Sequence, residues 1–475
     1  MTRPRNIIFI IADDHRYESV GVHGCPEVST PTLDALARRG TVFDGHHCQG
    51  SMHPAVCVPS RATLLTGRNI FASSCNPTAD DYTDGQAACF SDGQAELLAF
   101  TIPDALATFP QRLREAGYRT HAIGKWHNDR AALSRSFATA ERVFFGGMSD
   151  HDRVPLHDLD PSGGYGPQYF KAGHSTDLFA DAARRFLRAA GKDEPFCLYV
   201  AFTAPHDPRT PPASFAVDPK TVPLPGNFLP VHPFDNGDVL VRDERLEAFP
   251  RDAEAVRRHI ADYHGMIAHL DAAIGSILET AAELGLLDDS VVIYTADHGL
   301  SLGQHGLMGK QNLYEHSLHI PLIMAGPGIP RGERHACLTW HADTRATVLD
   351  LAGLSVEATS EGSSLLPVME GRGAPPRALF GAAYRASQRM MRDERYKLIR
   401  YTSRARFPVE AKPGYPFPSE GSELEQLFDL RDDPLERVNL VFRENLQPVR
   451  RELARALDEW QIRTGDPFVV GSEGW

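Results

Sequence analysis

Four short apolar segments of the chain are each followed by polar residues that can take part in chemistry. These segments are NIIFIIA before Asp13, THAIG before Lys125, FCLYVAFTA shortly before His206, and SVVIYTA before Asp297. Continuous apolar runs of this length are typical of strands that are buried on both faces of a parallel sheet. Because ligands bind outside the carboxyl ends of such strands, we expect the four polar clusters to meet at one edge of the sheet.

Amphipathic segments with helix start and stop signals alternate with these strands. The segment TPTLDALARRG offers Thr30 as the N-cap, Pro31 in the first helical position and Gly40 as the stop. The alternation predicts an α/β fold in which a large, mostly parallel mixed sheet lies between helices. Further helices are predicted for TFPQRLREAG, TDLFADAARRFLRAAG, residues 253–286 and HADTRATVLDLAG, the last starting at an Asp cap and ending at Gly353.

Irregular segments and a late change of pattern divide the chain. The Pro-rich segment between His206 and Asp252 predicts a long loop that covers the edge of the sheet, and residues 70–96 predict a second loop. After a loop-like stretch near residue 375, RYKLIRY and EQLFDLRDDPLERVNL predict strands and a turn, followed by a terminal helix. We therefore predict a main α/β domain over residues 1–375 and a smaller C-terminal α+β domain with an antiparallel sheet over residues 376–475.

The composition and net charge of the chain argue against some classes of binding partner. The chain has 475 residues, 42% of them hydrophobic and 23% charged, as in ordinary soluble globular proteins. Its net charge of -13 argues against nucleic acid or an anionic membrane as a partner, and no run reaches the ~18 apolar residues of a membrane span. The first apolar run lacks a cleavage site, and the seven cysteines lack zinc-like spacing, so we expect a reduced, cytoplasmic protein. The oligomeric state stays open.

The segment AVCVPSRATLLTG places a cysteine, Cys57, directly before a predicted helix start. Pro59 suits the first helical turn, where its missing N–H costs little. The free backbone N–H groups and the positive end of a helix favour a bound anion, and Arg61 adds a permanent cation one turn further along. Taken alone, however, such a cysteine is more often a buried structural residue.

The neighbouring residues change that interpretation. Cys57-x-Pro-Ser-Arg followed by ATLLTGR resembles the signature of the type I sulfatases of the alkaline phosphatase superfamily, and IIADDHR, GKWH, APHDP, TADHG, GLMGK and LFDLRDDPLERVNL match further segments in the family's order. The resemblance implies an alkaline-phosphatase-like sheet and hydrolysis of the sulfate ester of a sulfated carbohydrate, an aryl alcohol or a small alcohol. It also implies that a maturation enzyme oxidises Cys57 to Cα-formylglycine, whose hydrated aldehyde is the nucleophile.

The resemblance further implies one divalent cation at the strand ends. Its ligands would be Asp13, Asp14, Asp297 and His298, together with the formylglycine oxygen at position 57. Two adjacent carboxylates at a buried strand end need a cation or strong donors, whereas an isolated Asp-Asp pair is usually an exposed turn or helix cap. Ca²⁺ is the favoured ion. Mn²⁺ stays open because an imidazole, which accepts a softer metal, stands where many sulfatases carry Asn, and Mg²⁺ is a further alternative.

Other matching residues would handle the sulfate and the protons. By resemblance, Arg61, Lys125 and Lys310 bind and neutralise the sulfate oxygens. Asp297 accepts the proton of the attacking hydroxyl, and His127 takes a proton from the remaining hydroxyl. Either His206, near the leaving oxygen, or Lys310 donates the proton to the leaving alcohol. Most of the 21 histidines must nevertheless be structural. Four more histidines near the motifs are candidate substrate contacts only: His15, His53, His305 and His316.

Two alternatives to a sulfatase stay open. The first is hydrolysis of a phosphate or phosphonate mono- or diester on the same scaffold, which His298 does not exclude. The second is a non-catalytic binding protein with this fold. That protein would be expected to have lost the nucleophile or a metal ligand, and the sequence retains both.

Overall fold

The computed structural model describes residues 6–73, 101–191, 194–237, 241–402 and 423–469. Most of the loop predicted over residues 70–96 lies outside these ranges. The described strands are β1 (Asn6–Ala12), β2 (Thr41–His47), β3 (Gly50–Ser51), β4 (Arg119–Lys125), β5 (Thr139–Phe144), β6 (His157–Leu159), β7 (Phe196–Ala201), β8 (Ser290–Ala296), β9 (Leu322–Ala325), β10 (Glu333–Trp340), β11 (Phe380–Tyr384), β12 (Gln388–Arg392), β13 (Tyr396–Tyr401) and β14 (Leu424–Asp429). The described α-helices are α1 (Pro31–Arg39), α2 (Cys57–Thr66), α3 (Phe109–Glu115), α4 (Arg130–Ser136), α5 (Ser175–Ala190), α6 (Ala253–Glu283), α7 (Glu315–Leu318), α8 (His341–Leu351), α9 (Leu366–Met369) and α10 (Gln447–Thr464).

A 9-stranded sheet with the order β10-β2-β9-β8-β1-β7-β4-β5-β6 forms the centre of the molecule. Strand β1 pairs in parallel with β7 and β8, and β4 pairs in parallel with β7. Strands β9 and β6 are antiparallel to their neighbours. Every residue of β1 and β8 is buried, which explains their unbroken apolar sequence. The large mixed sheet between helices is therefore confirmed.

The four predicted strands that precede polar clusters are consecutive neighbours in this sheet. They lie in the order β8-β1-β7-β4 and all run in the same direction. Their carboxyl ends consequently lie side by side, and the polar residues that follow them share one edge. This arrangement confirms the expectation drawn from the apolar runs.

Helix boundaries follow most of the predicted signals, although the Thr30 side chain makes no capping hydrogen bond and the helix predicted over residues 253–286 ends at Glu283. Helix α1 begins at Pro31 directly after Thr30, and Thr108 Oγ1 accepts a hydrogen bond from the Gln111 N–H at the start of α3. The Asp cap predicted for α8 is wrong, because that helix begins at His341 and Asp343 lies inside its first turn. There the Asp343 carboxylate accepts the Trp340 N–H at 3.0 Å, which satisfies a free backbone donor from within the helix.

A 5-stranded sheet with the order β14-β13-β12-β11-β3 forms the smaller unit. Its four C-terminal strands are antiparallel, and α10 packs against them, as predicted. The fifth strand, β3, comes from residues 50–51 and pairs in parallel with β11. The early part of the chain therefore contributes to the small sheet, and the division at residue 375 stays a prediction. None of the described helices is both long and apolar enough to cross a membrane.

The Pro-rich segment after β7 contains little regular structure. Its described residues form only three short 3₁₀ turns, Ala213–Phe215, Pro219–Thr221 and Asp243–Leu246. The long helix α6 begins directly after it, with the Asp252 side chain accepting the Ala255 N–H at 2.8 Å. This segment returns to the edge of the large sheet, where the polar clusters lie.

Candidate active site

Cys57 is the first residue of α2, a helix that is buried on every side. The helix is apolar around most of its circumference, as expected for a helix enclosed by the protein. Its first turn carries Cys57 and its second carries Arg61, and the side chains are 2% and 0% exposed. Gly67 ends the helix in a left-handed conformation (φ 71°), which favours glycine.

Two lysine ammonium groups and one imidazole surround the Cys57 sulfur. His298 Nε2 lies 3.1 Å from Sγ, Lys310 Nζ lies 3.6 Å away and Lys125 Nζ lies 3.9 Å away. Burial alone raises the pKa of this thiol, but the charges of Lys125 and Lys310 outweigh burial and lower the pKa to about 6. Position 57 therefore lies in an environment that stabilises negative charge.

Three carboxylates lie beside these cations, at the ends of the adjacent strands β1 and β8. Asp14 turns the chain in a left-handed conformation (φ 70°), and its N–H donates to Asp297 Oδ1 at 3.1 Å. Burial of Asp13 and Asp14 raises their pKa values, yet nearby positive charges hold both below the usual range. The same balance, dominated by His298 and Arg61, lowers the pKa of Asp297.

Arg61 and the two lysines connect the carboxylates to helix α2. Arg61 Nε donates to Asp297 Oδ2 at 2.9 Å, and Arg61 Nη1 donates to the Lys125 carbonyl at 2.8 Å. Lys125 Nζ contacts Asp13 Oδ2 and also donates to the Gly147 carbonyl at 2.6 Å. On the other side, Lys310 Nζ donates to Asp14 Oδ1 at 2.7 Å. Carboxylates and positively charged side chains therefore alternate around position 57.

One oxygen of this cluster is suited to a bound cation. Asp13 Oδ1 is fully buried, and no donor among the described residues reaches it. A buried carboxylate oxygen without a partner is unfavourable unless a ligand supplies the interaction. Ligand atoms of Asp13, Cys57, Asp297 and His298 lie within 4.8 Å of one another. Carboxylate oxygens with one imidazole fit a divalent cation such as Ca²⁺ or Mn²⁺.

The two histidines that sequence analysis assigned to proton transfer lie in opposite electrostatic environments. Burial lowers the pKa of His206, but Asp14, whose Oδ2 lies 3.9 Å from Nε2, raises it above the ordinary value. Burial and then Lys125 hold the pKa of His127 well below the ordinary value. These opposite pKa shifts favour a protonated His206, which has a proton to donate, and a neutral His127, which is free to accept one.

Three of the four histidines suggested as substrate contacts already use ring nitrogens inside the protein. His15 bonds with Tyr294 Oη at 2.5 Å and Ser19 O at 2.9 Å, and His316 Nε2 lies 2.6 Å from Ser301 Oγ. His305 stacks on Tyr314 with ring centroids 4.1 Å apart. These contacts favour a structural role for all three. The fourth, His53, is buried beside Ser51.

Sequence analysis missed two residues that hold Asp297 in place. The Ser60 hydroxyl donates to the Asp297 carbonyl, and His341 Nε2 lies 3.0 Å from Ser60 Oγ and 3.1 Å from the same carbonyl. His341 lies 281 positions after Ser60 in the chain. Ser60 stands inside the CVPSR motif, but no local pattern pointed to His341.

Family models match most of the chain. A model described as sulfatase matches residues 5–354, and one described as N-sulphoglucosamine sulphohydrolase, C-terminal, matches residues 303–409. An N-acetylglucosamine-6-O-sulfatase of Bacteroides thetaiotaomicron is 26% identical over an alignment that covers 98% of this chain and 88% of that protein. A choline-sulfatase of Rhizobium meliloti is 27% identical, with 92% and 82% covered.

Solved structures share the fold. A protein solved in complex with D-glucosamine-2-N,6-O-disulfate superposes with a TM-score of 0.74 at 23% identity, covering 99% of this chain and 100% of the other. A phosphonate monoester hydrolase of Agrobacterium radiobacter gives 0.71 at 21% identity, with 97% and 96% covered. Both similarities extend over the large and the small sheet.

Proposed function

This chain belongs to the sulfatase family and is a sulfuric ester hydrolase, and we propose that it acts on a sulfated saccharide through a formylglycine made from Cys57. The observation that carries the proposal is the position of Cys57 at a buried helix start, enclosed by Lys125, Lys310 and His298. A neutral structural cysteine would gain nothing from this concentration of positive charge. The negatively charged oxygens of a bound sulfate group, in contrast, require nearby positive charge.

Sulfated saccharides are the proposed substrates because two comparisons agree on sulfated glucosamine. The relative from Bacteroides thetaiotaomicron is described as acting on the 6-O-sulfate of N-acetylglucosamine. The similar structure was solved with a glucosamine disulfate. The choline-sulfatase relative makes a small sulfated alcohol the second class to test.

Arg61, Lys125 and Lys310 would neutralise the substrate. The oxygens of a sulfate ester carry negative charge that repels a nucleophile, so cations fixed before the reaction lower the barrier. All three side chains are at most 5% exposed and are held by carboxylates or carbonyl groups. They therefore bind the sulfate with little reorganisation and orient its sulfur towards position 57.

The modified residue supplies a hydrated aldehyde, which offers one hydroxyl as the nucleophile and a second whose deprotonation releases sulfate. Making it removes the Cys57 sulfur as H₂S, adds water and transfers two electrons to an oxidant provided by the maturation enzyme. During turnover Asp297 accepts a proton from the attacking hydroxyl, and His206 donates one to the leaving oxygen. His127 accepts the last proton. The sum is ester plus water giving alcohol and hydrogen sulfate.

Asp13, Asp14, Asp297 and His298 would hold one divalent cation, for which Ca²⁺ is favoured and Mn²⁺ and Mg²⁺ are alternatives. A bound cation would neutralise sulfate charge and favour the ionised form of the nucleophile. The orphaned Asp13 Oδ1 supports this proposal. A formylglycine-generating enzyme is the one macromolecular partner proposed, and the cytoplasmic location stays a prediction.

Mass spectrometry of the peptide that contains residue 57, combined with a substrate panel, tests the proposal. The chain is produced with and without a formylglycine-generating enzyme. It is then assayed with N-acetylglucosamine 6-sulfate, D-glucosamine-2-N,6-O-disulfate, choline sulfate and 4-nitrophenyl sulfate. We expect an aldehyde at position 57 and sulfate release only from the converted protein. Activity of the unconverted protein would contradict formylglycine as the nucleophile. A preference for choline sulfate would contradict a sulfated saccharide as the substrate.

A second candidate reaction is hydrolysis of a phosphate or phosphonate ester. The fold shared with a phosphonate monoester hydrolase is the observation that favours testing it. Each sulfate ester in the panel is therefore paired with the corresponding phosphate or phosphonate ester. A larger kcat/KM for the phosphorus esters would make this second reaction the main one.

A further inference from the structure

Lys310 lies on a segment without helix or strand, yet its position must be accurate. Residues 299–314 contain no regular element, and Lys310 Nζ lies within 3.6 Å of Cys57 Sγ. Lysine has a long, flexible side chain, and fixing it against an anion costs conformational entropy. The backbone that carries it therefore needs support from elsewhere in the protein.

Glu244 provides contacts directly beside Lys310. It lies in the 3₁₀ turn of the Pro-rich segment and is 3% exposed. Its Oε2 accepts the Met308 N–H at 2.9 Å, and its Oε1 accepts the Gly309 N–H at 2.9 Å. One carboxylate therefore binds two successive backbone donors that immediately precede the lysine. Hydrogen bonds to a charged acceptor are stronger than those between neutral groups.

Arg251 holds Glu244 and the same segment together. Its guanidinium contacts the Glu244 carboxylate, and its Nε donates to the Gly306 carbonyl at 3.0 Å. Arg251 is also only 3% exposed. The pair thus binds residues 306–309 through both a carbonyl and two N–H groups. Because an arginine presents donors in a fixed plane, this arrangement restricts the orientation of the carboxylate.

Asp243 secures the other side of Lys310. Gln311 Oε1 accepts the Lys310 N–H at 3.0 Å, and Gln311 Nε2 donates to Asp243 Oδ2 at 2.8 Å. Gly309 permits this close packing, since a Cβ there would lie 2.5 Å from Gln311 Oε1 and 3.0 Å from Glu244 Oε1. Glu244 thus binds the backbone before the lysine directly. The adjacent Asp243 holds the Gln311 side chain, which accepts the N–H of the lysine itself.

We infer that Glu244, supported by Arg251, is a positioning residue that fixes Lys310 Nζ against the sulfate group of the substrate. The inference rests on the proposed function, in which Lys310 binds sulfate. It assigns a specific task to the Pro-rich segment. Besides lying over the edge of the sheet, that segment carries the Glu244 carboxylate, which fixes the position of Lys310.

A double-mutant cycle between Glu244→Gln and Lys310→Ala tests this inference. The glutamine keeps the shape of the side chain, but its NH₂ cannot accept a backbone N–H. With converted enzyme and 4-nitrophenyl sulfate, we expect Glu244→Gln to lower kcat/KM by about 10-fold or more. In the Lys310→Ala background the same change should cost less than about 2-fold, because the group it positions is gone.

Inhibition by inorganic sulfate gives a second readout. Glu244→Gln should raise the inhibition constant of sulfate in the enzyme that keeps Lys310 and leave it unchanged in Lys310→Ala. The same fold-loss of kcat/KM in both backgrounds, or an unchanged inhibition constant, would overturn the inference. Full activity of Lys310→Ala would instead contradict the proposed role of the lysine, so the two failures are distinguishable.

Glu425→Gln is the matched control. Glu425 is a comparably buried carboxylate on β14, where it accepts from Arg400 Nε at 2.9 Å and from Arg450 Nε at 2.7 Å. Its substitution should leave kcat/KM and sulfate inhibition unchanged, and a loss equal to that of Glu244→Gln would overturn the inference. If Glu244→Gln does not fold, Arg251→Lys replaces it in the same cycle. An additive loss of kcat/KM with Lys310→Ala would then overturn the inference.

Discussion

Two buried clusters of charged residues can be compared within this chain. One is the active site around Cys57. The other, which we call the inter-sheet cluster, consists of His47, Glu315, Arg392, Lys397 and Glu436 and lies between the two sheets. Lys397 Nζ lies 2.9 Å from Glu315 Oε1 and 2.8 Å from Glu436 Oε1, and Arg392 Nη1 donates to Glu315 Oε2 at 2.7 Å.

The clusters differ in how closely their buried charged atoms approach partners of opposite charge. The carboxylates of both clusters are ion-paired, and in the inter-sheet cluster Glu436 Oε1, which lacks a hydrogen-bond partner within the described residues, still lies 2.8 Å from Lys397 Nζ. Arg392 and Lys397 outweigh the burial of Glu315 and hold its pKa well below the usual range. In the active site, Asp13 Oδ1 and Arg61 Nη2 lack hydrogen-bond partners within the described residues. Buried charge alone does not mark a catalytic site. An incomplete set of contacts around buried charge indicates a place for ligands.

Replacement of two buried cysteines, Cys57 and Cys48, should give the largest contrast. Cys57→Ala should abolish sulfate release, a loss of at least about 1,000-fold, because the nucleophile is removed. Cys48→Ala should keep kcat within a few-fold, since Cys48 packs in the hydrophobic core and its thiol donates to the Ser317 carbonyl, away from the Cys57 sulfur. Sulfate release and thermal unfolding are measured for both. Turnover of Cys57→Ala close to that of the converted enzyme without the substitution would contradict the formylglycine mechanism.

Removal of metal separates the two charged clusters. Exhaustive chelation should inactivate the enzyme, and about one divalent ion should be found per chain. Asp13→Asn should lose the ion and yet fold. Glu315→Gln should keep the ion but lower the free energy of unfolding by about 3 kcal/mol or more, because it leaves Arg392 and Lys397 buried with less compensation. Metal analysis and denaturant titration test this, and an active metal-free preparation would refute the proposed site.

Replacement of His206 and replacement of His127 should produce different kinds of kinetic defect. His206→Ala should reduce turnover of alkyl sulfates by about 100-fold or more, and of 4-nitrophenyl sulfate by less, because a stabilised phenolate needs little protonation. His127→Ala should slow every substrate alike, with alcohol released ahead of sulfate in the first turnover. Rapid-mixing measurements of both products test this. Equal losses for all esters in both variants would leave Lys310 as the candidate acid.

The smallest effect is the pH dependence of the unconverted protein. The lysine charges lower the pKa of Cys57 to about 6 despite burial, whereas burial raises that of Cys48 to about 12. The folded pKa of Cys57 is below its ordinary value of 9.0, so its contribution to stability is complete above pH 9 and is lost as pH falls through about 6. Ultraviolet thiolate absorbance should rise near pH 6, and Cys57→Ala should abolish that rise. A rise only near pH 9 would be inconsistent with the cation cluster.

Local sequence patterns determined the main elements and the candidate chemistry. The unbroken apolar run of β1 predicted a fully buried strand, because burial on both faces leaves no polar position. Pro31 marked the start of α1, because proline fits the first helical turn, although the Thr30 side chain makes no capping hydrogen bond there. The motif around Cys57 and the residues after each strand named the candidate site, because their chemistry and order along the chain are visible without coordinates.

Only the tertiary structure decided which charges meet and which residues hold them. His298 lies 241 positions from Cys57 in the chain, and its ring nitrogen is 3.1 Å from the sulfur. Glu244 binds the backbone before Lys310 across more than 60 positions, within a segment that the sequence predicted only as a loop. The residues 50–51 of β3 join a sheet otherwise built after residue 379. Such contacts depend on how distant elements pack and which rotamers packing permits, and neither is encoded in local periodicity.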